Sequence, residues 1–261
     1  MFSPVLQIII PFFLSAIVVI IITVIAEKYG TKAGGILGTL PSTIVIAFLF
    51  IGITKGETFA SKAAVVVPAE LGINVIFLFV FALLIHRSTL LAFVGTFSIW
   101  AILSTGLVLI NLEDIFISLG CYIAAVIFSF LIMEKSKKIR SSGKRHIHYT
   151  AKKIMFRGVL AGIVIAIAVF LSNFGSVISG IFSVFPAILS STMLISVKEH
   201  GPDFASGMAK SMLLGLSSVA TYATIIHFIY PIYGLIIGSA LAYAASFCVT
   251  IFIFILRRRI I

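Results

Sequence analysis

Residues 41–64 read PSTIVIAFLFIGITKGETFASKAA, and residues 186–209 read PAILSSTMLISVKEHGPDFASGMA. Residues of the first stretch recur in the second at a constant offset of 145 positions. Six of the pairs are Pro41 and Pro186, Gly56 and Gly201, Phe59 and Phe204, Ala60 and Ala205, Ser61 and Ser206, and Ala64 and Ala209. Each stretch lies within or beside a long apolar run, so the recurrence predicts an internal repeat in a membrane protein.

The composition places the protein in a lipid bilayer. Hydrophobic residues make up 61% of the chain and charged residues 10%, which is too little polar surface to cover a soluble domain. Hydropathy, interrupted at glycine, proline and charge clusters, predicts an all-α polytopic membrane protein with about nine transmembrane helices. The expected helices are 6–25, 33–52, 59–85, 89–110, 115–133, 154–172, 176–197, 204–226 and 230–256.

The repeat divides these helices into two copies within one membrane domain. We expect a first four-helix repeat over residues 1–112, a connector helix and basic cytoplasmic loop over 113–153, and a second four-helix repeat over 154–261. A single connector helix reverses the direction of the second copy. The two repeats are therefore expected to have inverted topology, related by an axis in the membrane plane.

Basic residues predict the orientation of the chain. With this helix assignment 16 of them fall on one side of the membrane, and two, Lys55 and Lys62, lie towards the other. The positive-inside rule then predicts an external N-terminus and a cytoplasmic C-terminus, in the plasma membrane. The densest run, residues 135–157, holds nine of the 19 basic residues, and we expect it to contact anionic lipid rather than nucleic acid because it is tethered between two helices.

Two prolines at equivalent positions predict a binding site near the middle of the membrane. Pro41 and Pro186 each fall inside an expected helix, where proline removes a backbone donor and frees a carbonyl group. Both are flanked by small or hydroxyl residues, and the expected substrate or ion site comprises Gly38, Pro41, Ser42, Thr43, Pro186, Ser190 and Ser191. The alternative is that the prolines only bend helices and the small residues only permit close packing.

Glu70 is the one acidic residue deep within an expected helix, and Asn74 follows it one turn later on the same face. An ionisable group at this depth is costly, so we expect both residues to belong to the substrate or ion site. Lys210 in the eighth helix is a possible partner for Glu70. The alternatives are that Glu70 is protonated and only hydrogen-bonded, or that Lys210 extends to the cytoplasmic interface.

The sequence does not suggest an enzyme. The residues at membrane depth do not combine a nucleophile, a base and an orienting group, and neither a metal-ligand cluster nor a phosphate-binding loop is present in the sequence. We therefore expect no catalytic residues, no metal and no cofactor.

From Ala33 and Gly34 through Pro41 to Ala60, the chain resembles GlpM-type small bacterial membrane proteins. The shared pattern is an Ala-Gly pair, a proline in the middle of a span, and then a glycine and an alanine at the start of the next helix. Each half of the chain resembles one such four-span unit, the first half more closely. The resemblance implies two fused units and a loose link to exopolysaccharide production, and it implies no catalytic residues.

The sequence is compatible with two classes of function. One is a secondary-transporter-like permease for a small solute, with alternating access around the proline-containing helices and proton or cation coupling through Glu70. The other is a non-transporting membrane scaffold, or an accessory protein for lipid handling or polysaccharide export. Because Arg157 is assigned to the basic run and no arginine to the membrane interior, a multiply charged anion is the least favoured solute. The oligomeric state is left open.

Overall fold

A computed structural model describes residues 5–28, 41–136 and 150–260 of the chain. These residues form nine helices in the order α1 (Leu6–Lys28), α2 (Ser42–Lys55), α3 (Glu57–Val65), α4 (Val67–Leu84), α5 (Thr89–Ile110), α6 (Ile115–Leu131), α7 (Ala151–Leu171), α8 (Ser176–Ser183) and α9 (Ala187–Ile260). A π-helical turn, Ile132–Ser136, follows α6. The described part of the chain contains helices and turns only, which confirms the predicted all-α class.

Long apolar helices mark the chain as a membrane-embedded protein. Six helical stretches among the described residues are long and apolar enough to cross a membrane. The last of them covers 78 residues, far more than the roughly 20 that one crossing requires. Within it, Gly201 and Gly234 have non-helical backbone angles. Large apolar side chains such as Leu109 and Ile236 are exposed on the outer surface, where lipid would cover them.

The glycines paired by the sequence repeat have the same backbone conformation. Gly56 has φ 91° and ψ 163°, and Gly201 has φ 83° and ψ 179°. Residues with a side chain are strongly disfavoured in this region. Gly56 separates α2 from α3, and Gly201 interrupts α9, so each glycine redirects one helix into the next.

Proline interrupts a helix where the sequence predicts it. α8 ends at Ser183 and α9 begins at Ala187, so Pro186 stands at a break within the expected helix 176–197. Pro41 directly precedes α2, and the expected helical residues 33–40 lie outside the described residues. Pro186 and Pro41 thus both stand at the start of a helix.

The first helices of the two sequence copies pack against each other. α1 begins at residue 6 and α7 at residue 151, again 145 positions apart, and they form the most extensive helix pair in the structure. A Cβ atom placed on Gly158 would lie 3.0 Å from the carbonyl oxygen of Ala16, and one on Gly162 would lie 2.7 Å from that of Phe12. Since the residue numbers rise in opposite directions, α1 and α7 are antiparallel, and the glycines permit the close approach.

α4 forms the centre of the helix assembly. It packs against α5, α6 and α9, and it carries the buried residues Glu70 and Asn74. The turn at Val66 separates α3 from α4, and the backbone N–H of Ala69 donates to Ser118 Oγ of α6 at 2.9 Å. This side-chain hydrogen bond satisfies a donor in the first turn of α4, which has no partner within its own helix. The contacts with α5, α6 and α9 therefore fix the position of α4, and with it the positions of Glu70 and Asn74.

Candidate functional site

A cavity of about 140 Å³ lies between α1, α2, α4, α7 and the break between α8 and α9. An engineered protein cavity of about 150 Å³ holds benzene, so the space suits a small molecule. Most of the lining is apolar. The polar side chains in the described lining are Thr23, Ser42, Thr43, Asn74, Arg157 and Ser183.

The cavity is lined by corresponding positions of the two sequence copies. Six pairs in the lining are related by the offset of 145 residues, namely Val19 and Val164, Ser42 and Ala187, Thr43 and Ile188, Ile44 and Leu189, Leu71 and Leu216, and Asn74 and Val219. Residues from both expected repeats, 1–112 and 154–261, therefore line the same space.

Two helices begin at the wall of this cavity. Residues 42–44 open α2 and residues 187–189 open α9, and both sets belong to the lining. The first N–H groups of a helix have no intrahelical partner and carry partial positive charge. No side chain of Pro41, the N-cap of α2, can accept from these groups. Both helix starts consequently favour negative charge in the cavity.

Asn74 connects the cavity to the break between α8 and α9. Its side-chain Nδ2 donates to the backbone carbonyl of Val184 at 2.8 Å, which satisfies an acceptor at the interrupted helix. The Oδ1 atom is buried and has no hydrogen-bond partner among the described residues, although Asn74 itself is only 1% exposed. A buried acceptor left in this condition costs about 1–3 kcal/mol. A ligand in the cavity that carries a hydrogen-bond donor would recover that free energy.

Arg157 belongs to the cavity, which corrects its assignment to the basic run outside the membrane interior. α7 begins at Ala151, so Arg157 lies in its second turn, about 9 Å along the helix axis. Its Nη1 donates to Thr192 Oγ1 at 2.6 Å, and it is the only charged residue in the described lining. The sequence signal was available, because Arg157 already falls inside the expected helix 154–172.

Glu70 lies outside the cavity lining and is held by α5. Trp100 Nε1 donates to Glu70 Oε1 at 2.6 Å. Ser104 Oγ lies 2.9 Å from Oε1 and 3.0 Å from Oε2. The carboxyl group is completely buried. Neither partner was predicted from the sequence, although a tryptophan and a serine four residues apart on one apolar helix share a face and offered a signal.

Trp100 links Glu70 to the helix break. Its ring packs edge to face against Phe185, with 4.8 Å between the ring centroids, and against Phe182 at 6.1 Å. Phe185 lies at the break and lines the cavity. Glu70 is thus one hydrogen bond and one aromatic contact away from the cavity wall.

Lys210 pairs with a different acid from the one considered in the sequence analysis. Its Nζ lies 2.5 Å from Oε2 of Glu134, in the π-helical turn after α6, and 5.9 Å from the ring centroid of Phe130. Glu70 and Lys210 do not form an ion pair, because the first is held by α5 and the second points to the end of α6.

The remaining expected site residues divide into two groups. Pro41, Ser42 and Thr43 line the cavity, as does Asn74. Pro186, Ser190 and Ser191 do not, and the two serine hydroxyls donate to backbone carbonyls of α9 or of the residue before it, at 2.6 Å and 3.0 Å. Gly38 lies outside the described residues. In the part of the chain that the structure describes, no group of three or more His, Cys, Asp or Glu side chains could hold a metal ion.

Comparisons with known proteins give no match to protein-family models, to curated proteins or to solved structures. The resemblance to GlpM-type proteins therefore stays a prediction.

Proposed function

We propose that this chain is a permease of the secondary-transporter type for a small solute, which binds in the cavity between α2 and the break before α9. The observation that carries the proposal is Asn74, whose Nδ2 holds the interrupted helix while its buried Oδ1 has no partner among the described residues. Interrupted helices that end at a cavity are a common way for transporters to build a substrate site near the middle of the membrane.

We propose nine crossings arranged as two inverted repeats around this site. The shared conformation of Gly56 and Gly201 supports the equivalence of the two copies. The antiparallel packing of α1 and α7 supports the inversion, because a two-fold axis in the membrane plane turns equivalent helices antiparallel whereas an axis along the membrane normal leaves them parallel. Alternating access then consists of one repeat moving against the other around the cavity.

The proposed orientation has the N-terminus outside and the C-terminus in the cytoplasm. Two contacts between basic and acidic side chains support a common cytoplasmic end, because each joins residues at helix ends that the sequence places there. They are His86 with Asp203 and Lys153 with Glu199. Lys210, which the sequence places inside the eighth helix, pairs with Glu134 at the same end. The basic residues of 135–157 would face the same side, where anionic lipid of the plasma membrane attracts them.

Glu70 is the proposed site of proton or cation coupling. An ionised carboxylate only accepts hydrogen bonds, whereas a protonated one also donates, so proton binding changes how Glu70 holds Trp100 and Ser104. Trp100 packs on Phe185 at the helix break, which gives that change a route to the cavity wall. Asn74, one turn after Glu70 on α4, provides a second route through the helix itself.

Flux into proteoliposomes tests the proposal. Vesicles containing the purified protein should take up at least one solute from a panel of small anions, neutral molecules and cations faster than protein-free vesicles. Asn74→Leu should lower that rate by about three- to tenfold or more, because it removes the hydrogen bond to the solute and also the one from Nδ2 to the Val184 carbonyl. Asn173→Leu is the matched control, since Asn173 is exposed in the turn after α7.

An absence of flux for the whole panel would contradict the permease. Movement of a labelled lipid between the leaflets of the same vesicles would then favour the lipid-handling alternative.

A further inference from the structure

The positive charge of the cavity lining narrows the class of solute. Its one charged side chain in the described lining is the cation Arg157, and two helix N-termini open on it. No carboxylate belongs to the described lining. The electrostatics of the site therefore favour a single negative charge on the ligand and disfavour an ammonium group.

Asn74 adds a second requirement. Its buried Oδ1 is an acceptor without a partner among the described residues, so it is satisfied only by a ligand that also donates a hydrogen bond. Ser42 and Thr43 in the same lining can accept or donate and do not restrict the ligand further. The remaining walls are apolar, contributed by residues such as Val164, Leu216 and Met212, and they suit a ligand with a carbon skeleton better than an inorganic anion.

Resting on the proposed permease function, we propose that the solute is a small hydroxy-carboxylate anion, whose carboxylate is bound by Arg157 and the helix starts and whose hydroxyl donates to Asn74 Oδ1. The sequence favoured a cation, a neutral solute or a small monoanion over a multiply charged anion, and Arg157 in the cavity lining narrows these classes to the monoanion. The volume of about 140 Å³ limits the ligand to a few heavy atoms.

A binding assay tests this without requiring transport. The chain contains one tryptophan, Trp100, which packs against the cavity-lining Phe185, so its emission reports on the site. Lactate should change the emission of the full-length protein saturably at constant ionic strength. Propionate, which lacks the hydroxyl, should bind about three- to tenfold more weakly, and propane-1,2-diol, which lacks the carboxylate, should give no saturable change.

Two variants assign the contacts. Arg157→Gln should weaken lactate binding about tenfold or more, because hydrogen bonds to a charged group are the stronger kind. Arg87→Gln, at an exposed position after α4, should leave it unchanged. Asn74→Leu removes both the acceptor for the hydroxyl and the hydrogen bond to Val184, so it should lower the affinity for lactate by a larger factor than the affinity for propionate. If that variant does not fold, the comparison of the three ligands on the unmodified protein still tests whether binding requires the carboxylate and the hydroxyl group.

The outcomes separate this inference from the permease itself. Equal or tighter binding of propane-1,2-diol or of ethanolamine, the cationic analogue, would overturn the anion site, and so would a lack of saturable binding by lactate. Lactate binding without flux in proteoliposomes would leave the anion site standing and would refute transport. Flux restricted to neutral or cationic solutes would support transport and would refute the anion site.

Discussion

Glu70 illustrates how a single ionisable residue is accommodated at the centre of an apolar assembly. Its two oxygens receive the indole N–H of Trp100 and the hydroxyl of Ser104, both from α5, and water does not reach the group. These partners compensate part of the large cost of burying a carboxyl group. No ion pair forms at Glu70 among the described residues, so a proton or an ion can bind there without first displacing one.

Replacing Glu70 by Gln should separate coupling from binding. Glutamine has nearly the same size and retains an acceptor oxygen for Trp100, so the fold should persist. We expect Glu70→Gln to abolish uptake driven by a pH or cation gradient and to retain counterflow exchange, which needs no net ion movement. Glu113→Gln, an exposed acid before α6, is the control. Normal gradient-driven uptake by Glu70→Gln across a range of pH would refute the coupling role.

The contacts of the short helix α8 determine where the break before α9 lies. α8 packs against α3, and the closest contact is at Gly180, where a Cβ atom would overlap the backbone carbonyl of Ala63. Ser179 Oγ adds a hydrogen bond to the carbonyl of Ala168 in α7 at 2.9 Å. Eight residues are too few to form a stable helix in isolation, so α8 depends on these contacts.

Gly180→Ala should destabilise the protein and displace the break. The added methyl group meets backbone rather than a flexible side chain, and overpacking of this kind costs about 1–3 kcal/mol. A lower midpoint of thermal unfolding in detergent is the expected result. Gly120→Ala is the matched control, because that helical glycine has nothing within 4 Å of its added Cβ, and its replacement should be neutral or stabilise by up to about 1 kcal/mol. Equal midpoints for the two variants would contradict the close contact of α8 with α3.

For the whole molecule, the proposed inversion places equivalent loops on opposite faces of the membrane. Thr58 and Asp203 follow the equivalent glycines by two residues, and both are exposed. Inverted repeats put Thr58 outside and Asp203 in the cytoplasm. Repeats related by an axis along the membrane normal put both on one side.

Cysteine labelling distinguishes these arrangements. Cys121 and Cys248 are exposed and must first be replaced by alanine. A membrane-impermeant maleimide applied to intact cells should label Thr58→Cys at once and Asp203→Cys only after the cells are opened. Labelling of both positions from outside would refute the inverted topology and the count of nine crossings with it.

Local sequence was enough to predict the helical class, the approximate limits of α1, α5, α6 and α7, and the interruption at Pro186. These depend on local chemistry: the lengths of apolar runs, the missing donor of proline and the permissive backbone of glycine. Local sequence did not predict the turn at Val66 or the extent of α9, Ala187–Ile260. Of the expected site residues, Pro41, Ser42, Thr43 and Asn74 line the cavity, whereas Pro186, Ser190 and Ser191 do not.

The partners of the buried polar groups follow from how helices that are distant in the sequence pack together. Trp100 and Ser104 bind Glu70 from a helix about 30 residues away in the chain. Lys210 forms an ion pair with Glu134. Arg157 lines the cavity, whereas the sequence assigned it to the basic loop. Which face of a helix meets which neighbour depends on how the helices pack across long sequence separations. A sequence that is apolar on nearly every face does not specify that choice, because its hydrophobic pattern distinguishes lipid-facing from protein-facing positions only weakly.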